Sequence, residues 1–286
     1  MTGTTHSGPD HAVDVRGLSK SYKELPAVRS LDLHVDYGEI FAILGPNGAG
    51  KSTTIEILEG HRLRDAGDVF VLGQDPAHAG PRWRAQIGIV LQEASDYGML
   101  TVGETVRMMA ACYRNARSVG DLLELVGLLQ SASARVRTLS GGQRRRLDVA
   151  LGIIGRPALL FLDEPTTGFD PEARQQFWEV MRLLAAEGTT IVLTTHYLEE
   201  AAALADRVAV IADGLMVAVD SPERLTTHVS ATATVRWVED GNVVVHQTDK
   251  PTELIRRHAP DVGELEQLTV VRPTLEDVYM QLIGQS

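Results

Sequence analysis

The chain has 286 residues, of which 44% are apolar and 23% charged, as in globular proteins with a substantial core. A formal net charge of −11 argues against broad nucleic-acid binding, which needs a basic face, and against direct attachment to anionic lipid. No apolar run approaches the roughly 18–20 residues that cross a bilayer, and the first dozen residues are polar. We therefore expect no membrane span, no secretory signal and a disordered tail over residues 1–12. The single cysteine, Cys112, suits a reducing cytoplasm.

The first predicted elements lead into a phosphate loop. Alternating apolar residues predict strands over 13–18 and 30–35, and the apolar run 40–44 predicts a buried strand. A helix-like stretch begins near residue 51, and the segment before it fits the pattern G-x-x-x-x-G-K-[ST] at every required position. The residues of this loop are Gly45, Pro46, Asn47, Gly48, Ala49, Gly50, Lys51, Ser52 and Thr53.

The residue types in this loop suit a bound polyphosphate. Glycines allow a tight turn in which successive N–H groups point at an anion, and the helix adds the positive end of its dipole. Lys51 would reach the β- and γ-phosphates, and the Ser52 hydroxyl would ligate Mg²⁺. A plain glycine-rich turn is the alternative, but the strand–loop–helix setting favours binding of a nucleoside triphosphate.

Downstream, strand and helix patterns alternate around one longer helical stretch. Thr101 and Glu104 form a capping-box sequence at the start of that stretch, which extends to about residue 155. The alternation predicts an α/β fold: a P-loop NTPase core with a mostly parallel sheet flanked by helices, and a helical subdomain inserted at about 96–157. The predicted strands are 69–72, 87–91, 158–162, 190–194 and 207–212, and the predicted helices outside the insertion are 171–186 and 197–205.

Two adjacent carboxylates follow the predicted strand 158–162. Asp163, at the tip of a buried strand beside a phosphate loop, can hold Mg²⁺ directly or through water. Side chains alternate along a strand, so Glu164 points elsewhere and can orient or deprotonate an attacking water. A solvated turn is the alternative for an isolated Asp-Glu pair. The phosphate loop in the same chain favours the catalytic interpretation.

A second anion-binding helix start is predicted at Leu139-Ser140-Gly141-Gly142-Gln143. Alone, this sequence would be explained by helix capping. Combined with the phosphate loop and the Asp-Glu pair, it resembles the signature motif LSGGQ of the nucleotide-binding subunits of ATP-binding-cassette (ABC) transporters. The resemblance covers about residues 13–225, and it implies ATP as the nucleotide.

The resemblance implies roles for further residues. Tyr22 stands where the family has an aromatic ring that stacks on adenine. Gln92 matches a glutamine that contacts Mg²⁺ and couples to the membrane partner, and His196 matches the switch histidine that contacts the γ-phosphate. Asp170 belongs to the D-loop, which crosses to the opposite subunit, although Phe169 replaces the usual leucine there.

The resemblance also implies an assembly. Two copies would meet head to tail, so that the phosphate loop of one faces Ser140, Gly141, Gly142 and Gln143 of the other, with ATP between them. Hydrolysis by a water held by Glu164 and His196 would reopen the pair. A separate transmembrane permease subunit would receive this motion through the region 92–100 and the helical insertion. The chain would thus lie in the cytoplasm, peripheral on the inner face of the membrane, and touch the membrane only through the permease.

Residues 226–286 predict a small α+β accessory domain after the ATPase domain at 13–225. Its signals are a hairpin across Asp240-Gly241, a short helix after Pro251, a strand near 268–271, and a last helix capped by Thr274 with Asp277. The segment 271–279 resembles the tail of the daunorubicin-resistance-type ATPases, which energise ABC-2 exporters of drugs, lipids or polysaccharides. This resemblance indicates export.

Two other functions fit a cassette of this kind. One is a soluble ABC ATPase that serves translation or DNA repair, but a single phosphate loop and the lack of sustained heptads argue against it. The other is a nucleotide-binding regulator that does not hydrolyse, but Glu164 and His196 are both retained. The arginine run 144–146 is predicted to lie on a solvated helix face, with contact to the partner subunit as the alternative.

Overall fold

The structure, a computed structural model, describes residues 11–91, 98–229, 232–259 and 264–284. The chain separates into two compact units, Met1–Val217 and Ala218–Ser286. The sequence placed this boundary a few residues later, after residue 225. Ala12 is fully buried and its N–H donates to the carbonyl oxygen of Val35 at 2.8 Å, so the predicted disordered tail does not extend to residue 12. Residues 1–10 lie outside the described residues.

The strands between Val13 and Asp220 form a six-stranded sheet and a three-stranded sheet. The larger sheet has the order β5-β6-β7-β3-β8-β9, and the smaller has the order β2-β1-β4 with antiparallel pairing. The strands are β1 Val13–Tyr22, β2 Leu25–Val35, β3 Ile40–Leu44, β4 Ala66–Val71, β5 Ile87–Val90, β6 Leu159–Asp163, β7 Thr190–Thr195, β8 Arg207–Ala212 and β9 Leu215–Asp220.

The pairing of the large sheet brings the predicted site segments together. β3 pairs in parallel with β7 and β8, and β6 pairs in parallel with β5 and β7. Ile43 of β3 and Asp163 of β6 both lie opposite Thr194 of β7. Because the strands are parallel, the loops that follow β3, β6 and β7 leave the sheet at one edge. The predicted α/β phosphate-loop fold is confirmed.

Helices cover the sheet and form the insertion. The first helix, α1, packs against β2, β4 and β6, so it lies between the two sheets. Its apolar residues join a core that includes Phe41, Ile43 and Phe161. The helices of the first unit are α1 Lys51–Leu58, α2 Pro81–Arg84, α3 Val102–Ala110, α4 Val119–Leu125, α5 Gly141–Ile153, α6 Pro171–Ala186 and α7 Leu198–Leu204.

A capping box at the start of α3 and a close contact between α5 and β5 position the helices of the insertion. Thr101 caps α3 with the predicted capping box, in which its hydroxyl accepts from the Glu104 N–H at 3.2 Å. Helix α5 lies so close to β5 that a Cβ at Gly88 would stand 2.3 Å from the carbonyl oxygen of Gly152. Glycine at this position therefore lets the helix that follows Ser140 rest directly on the sheet.

The second unit has a three-stranded antiparallel sheet in the order β11-β10-β12. Its elements are α8 Pro222–Val229, β10 Ala233–Glu239, β11 Asn242–Thr248, α9 Pro251–His258, β12 Glu266–Val271 and α10 Leu275–Gly284. The hairpin turns at Asp240 and Gly241, which both have positive φ, and Thr274 hydrogen-bonds with Asp277 at the start of α10. These predicted elements are confirmed.

The sequence analysis missed β9 and α8. Strand β9 follows Asp213-Gly214, two residues with φ of 49° and 77°, and a D-G pair between apolar runs is a strong hairpin signal. None of the helices among the described residues is long and apolar enough to span a membrane.

Candidate nucleotide-binding site

The phosphate loop follows β3 with the backbone that its glycines permit. Gly48 and Gly50 have φ of 82° and 101°, in the region that favours glycine. Gly45 serves a different purpose, because a Cβ there would stand 2.3 Å from the carbonyl oxygen of Ile211. The outer part of the loop, Pro46 to Gly48, is exposed, so a ligand can reach its N–H groups.

The Lys51 side chain is buried beside this loop and binds two of its carbonyl oxygens. Its Nζ donates to the carbonyl oxygens of Gly45 at 2.8 Å and Pro46 at 3.1 Å, and the residue is 6% exposed. Burial lowers the pKa of Lys51, whereas the charges of Glu164 and Asp163 oppose that shift. The ammonium group is therefore held beside the loop and within the field of both carboxylates.

Asp163 and Glu164 are joined through one hydroxyl on the neighbouring strand. The Thr194 hydroxyl donates to Oδ1 of Asp163. The same hydroxyl accepts from the main-chain N–H of Glu164 at 3.1 Å. Glu164 has φ of 45°, which is uncommon for a residue with a side chain. Strained backbone of this kind is concentrated at functional sites, and here it turns Glu164 away from the strand direction.

His196 stands beside Glu164 at the end of β7. Its Nδ1 lies 3.3 Å from Oε1 of Glu164, and the two side chains are 42% and 15% exposed. The His196 ring also packs on Tyr197, with the centroids 4.1 Å apart. The structure thus brings together Lys51, Asp163, Glu164 and His196 at one edge of the sheet. Such a set can bind a terminal phosphate, a cation and a water.

The oxygen donors fit a hard cation. Ser52 is exposed at the start of α1, and Asp163 is half-buried with one of its carboxylate oxygens bound to Thr194. Mg²⁺ prefers such oxygen ligands, usually one or two from protein together with phosphate oxygens and water. Gln92, the third predicted ligand, lies outside the described residues.

The signature residues lie at the start of α5, on accessible surface. The Ser140 hydroxyl accepts from the Gln143 N–H at 3.2 Å, while the Gln143 amide oxygen accepts from the Ser140 N–H at 3.0 Å. Ser140 and Gly141 are exposed, and nothing lies within 4 Å of a Cβ built on Gly141 or Gly142. The capping interpretation is therefore correct, and the same residues leave a surface that a ligand can approach.

Tyr22 and Asp170 make contacts that the sequence did not predict. The Tyr22 hydroxyl lies 3.3 Å from Oγ1 of Thr53 in the phosphate-loop helix, and the Arg62 guanidinium lies 5.1 Å from the Tyr22 ring centre. The Asp170 carboxylate caps α6 by accepting from the Ala173 N–H at 2.8 Å. The Asp-Pro pair at 170–171 is a helix-start signal that would have predicted this cap.

Three buried polar residues near the site escaped the sequence analysis. Arg145 is 8% exposed, so the prediction of a solvated helix face is wrong for this residue. Glu59 is 5% exposed, and burial, with a contribution from Asp163, raises its pKa to about 8. Glu200 is fully buried, which raises its pKa. Glu200 lies on the buried face of α7 with Ala201 and Leu204, four residues after His196, and its burial is evident only from the structure.

Together, the fold and this cluster define the class of phosphate-loop nucleoside triphosphatases. A family model described as ABC transporter matches residues 28–167. The chain is 36% identical to the daunorubicin/doxorubicin resistance ATP-binding protein DrrA of Streptomyces peucetius, over 96% of this chain and 93% of that protein. It is 43% identical to the Nod factor export ATP-binding protein I of Rhizobium sp. (strain N33), over 96% of this chain and 97% of that protein.

Solved structures agree with these relatives. A structure described as the ATP-binding subunit of an ABC transporter has a TM-score of 0.69 at 28% identity, covering 75% of this chain and 91% of that one. A dimeric ATP-binding cassette in a post-hydrolysis state with ADP and Pi has a TM-score of 0.67 at 25% identity, covering 73% and 98%. The chain belongs to the ABC transporter family as an ATP-binding subunit, and it is an ATPase. The alternatives of a translation or repair factor and of a non-hydrolysing regulator are not favoured.

Proposed function

We propose that two copies of this chain close head to tail around two ATP molecules. In this arrangement the phosphate loop of one copy faces Ser140, Gly141, Gly142 and Gln143 of the other. The observation that carries the proposal is the accessibility of Ser140 and Gly141 at the start of α5, which leaves the signature residues open to a second copy. A bound triphosphate would then stabilise the pair, because it is bound fully only by the closed form.

Within each pocket, we assign the roles by position. Lys51 and the loop amides bind the β- and γ-phosphates, and Glu164 orients the attacking water and takes its proton. His196, 3.3 Å from Glu164, contacts the γ-phosphate and fixes the Glu164 carboxylate. Ser52 and Asp163, with Gln92, would hold Mg²⁺, which supplies positive charge to the phosphate oxygens.

The remaining predicted residues belong to the edges of the pocket. Tyr22 would stack on adenine, and its partly exposed ring beside Thr53 is compatible with that role. Asp170 would contact the partner copy from the loop that precedes α6. Its hydrogen bond with the Ala173 N–H holds this loop at the start of the helix. These two assignments rest on the family pattern.

The partner we propose is a separate ABC-2 type permease that exports a drug, lipid or polysaccharide. The proposal rests on relatives whose names describe daunorubicin resistance and Nod factor export. A cavity of about 270 Å³ is lined by β5 and Leu91 and by residues such as Met109, Tyr113 and Asp148 of the helical insertion, which we expect to take part in contact with the permease. The chain would work at the cytoplasmic face, reach the membrane only through the permease and bind no nucleic acid, with Ala218–Ser286 as an accessory domain.

Replacing the proposed base tests the scheme. Glu164→Gln removes the proton acceptor while it keeps the size of the side chain, so ATP turnover should fall by at least about 100-fold. ATP still binds, and gel filtration with Mg-ATP should show a stable dimer that wild-type protein forms only transiently. Wild-type protein with ADP, which should elute as in the absence of nucleotide, is the control. Turnover by Glu164→Gln at a rate near wild type would remove the base assignment.

A further inference from the structure

Arg145 is a buried cation whose three donor groups all reach main-chain carbonyl oxygens. Its Nε donates to Pro165 O at 2.9 Å and its Nη2 to Asp163 O at 2.6 Å, while Nη1 donates to Leu91 O. Leu91 follows β5, and the other two acceptors follow or end β6. One side chain on α5 therefore ties together the ends of two neighbouring strands.

Placing a guanidinium there has an electrostatic cost. Burial lowers the pKa of Arg145, and the charges of Asp148 and Asp163 offset part of that effect. A buried charge is a poor source of stability compared with well-packed apolar side chains, so its presence calls for a geometric reason. A planar fork of donors that binds three carbonyl oxygens at once supplies one.

The carbonyls of Asp163 and Pro165 show which part of the chain the Arg145 guanidinium holds in place. Asp163 and Pro165 are the residues on either side of Glu164, whose backbone has a φ of 45°. The Arg145 fork binds the carbonyl oxygens of Asp163 and Pro165, and the Thr194 hydroxyl binds the Glu164 N–H and the Asp163 carboxylate. These two sets of hydrogen bonds therefore fix the backbone from which the Glu164 side chain projects.

The other end of this linkage is the signature motif. Arg145 lies in the second turn of α5, which begins directly after Ser140. A shift of the signature residues would therefore be transmitted along a rigid helix to the carbonyls that flank Glu164. We propose that Arg145 is a positioning residue for hydrolysis, which couples the placement of the signature helix to the orientation of Glu164. The inference rests on the proposed role of Glu164.

The test is Arg145→Lys in the full chain, with Arg117→Lys as the matched control. Lysine keeps the charge, but its single nitrogen cannot bind three carbonyl oxygens arranged around a fork. Arg117 is a comparably shielded arginine, its side chain 11% exposed and paired with Glu187, and it contacts none of these carbonyls. We expect kcat of Arg145→Lys to fall by about 10- to 100-fold, the scale of a misplaced catalytic group, with the KM for ATP within about threefold of wild type. Arg117→Lys should keep its kcat.

Hydrogen exchange shows whether the substitution acts locally on the segment that flanks Glu164, while the split between kcat and KM distinguishes positioning from a purely structural role. In Arg145→Lys, peptides covering 163–169 should exchange faster than in wild type, while peptides from β3 and β8 should not. An unchanged kcat, or a loss of kcat equal to that of Arg117→Lys, overturns the proposal. If Arg145→Lys does not fold, Arg145→Gln is measured in the same way. If neither variant folds, Arg145 serves the fold and the proposal is rejected.

The two proposals can fail separately. Fast turnover by Glu164→Gln would remove the base assignment whatever Arg145→Lys does. Slow turnover by Glu164→Gln together with normal turnover by Arg145→Lys would leave the base in place and remove only the positioning role.

Discussion

At the scale of single residues, the site contains a buried charge, that of Lys51, which is hydrogen-bonded within the chain. The Lys51 ammonium is bound by two loop carbonyl oxygens, and the pKa of Lys51 is lowered by burial. A bound phosphate would replace these carbonyls with charged oxygens, which make stronger hydrogen bonds to an ammonium group. The loop thus holds the lysine next to the expected phosphate position, so that mainly its hydrogen-bond partners change when ATP binds.

Glu59 lies in the same buried region and carries a prediction about stability. Its folded-state pKa of about 8 lies above the ordinary value of 4.5, mainly because of burial and secondarily because of Asp163. The folded protein therefore keeps a proton that the unfolded chain releases, and this stabilising contribution is lost as pH rises from about 4.5 through about 8. The neighbouring His61, with Nδ1 3.2 Å from Oε2, is the nearest hydrogen-bond partner.

Glu59→Gln should remove this pH dependence, because glutamine resembles the protonated acid and cannot ionise. The variant and the wild-type protein should have similar melting temperatures near pH 5. At pH 9 the variant should melt higher by at least about 2–4 °C, the shift that roughly 1 kcal/mol produces in a chain of this size. Thermal unfolding from pH 5 to 9 measures the difference. A constant difference across this range would contradict the buried, protonated state.

At the scale of elements, the starts of α3 and α4 differ in whether a local side-chain hydrogen bond stabilises the helix. Thr101 and Glu104 exchange hydrogen bonds at the start of α3, as their spacing predicts. Ser118 precedes α4 in the same way, but its side chain makes no capping bond. The two helix starts therefore differ, since a side-chain cap is present at α3 and absent at α4.

Thr101→Ala should lower the free energy of unfolding by about 1 kcal/mol, the usual contribution of a capping side chain. Ser118→Ala, the matched control, should change the free energy of unfolding by no more than a few tenths of a kcal/mol. Urea unfolding of both variants measures the effect as a shift in midpoint. Equal shifts for the two variants would mean that the α3 capping box does not contribute to stability.

At the scale of the whole molecule, the proposed pocket needs two chains, and this requirement can be tested by mixing variants. In a Lys51→Ala dimer both phosphate loops are defective, and in a Ser140→Arg dimer both signature surfaces are blocked. A mixed dimer contains one pocket with an intact phosphate loop facing an intact signature, and one pocket with both defects. We therefore expect the mixture to hydrolyse ATP, although neither variant does so alone.

The control mixture combines Lys51→Ala with Glu164→Gln. Both changes affect the phosphate-loop side of the pocket, so every pocket in a mixed dimer remains defective and no activity should return. ATPase assays of the two mixtures at equal protein concentration decide the matter. Rescue in both mixtures, or in neither, would contradict a pocket shared between the phosphate loop of one copy and the signature of the other.

Local sequence alone determined the parts of this protein whose chemistry resides in a short segment. The glycine-rich loop, the capping box at Thr101, the hairpin at Asp240-Gly241 and the strand–helix alternation were all predictable. In each case the backbone conformation depends on residues only a few positions apart. The phosphate loop, the Asp163-Glu164 pair and the sequence Leu139-Ser140-Gly141-Gly142-Gln143 together were sufficient to indicate the ABC transporter family.

Only the tertiary structure decided which residues hold Asp163 and Glu164 in position. Thr194 joins Asp163 to Glu164 because β6 and β7 are neighbours in register, and nothing in the sequence of β7 distinguishes this threonine from Thr195. Arg145 looks like one member of a charged run, yet it is buried on α5, which packs closely on β5, and it binds the carbonyl oxygens on either side of Glu164. Burial and strand order arise from contacts between distant parts of the chain, so a short segment cannot specify them.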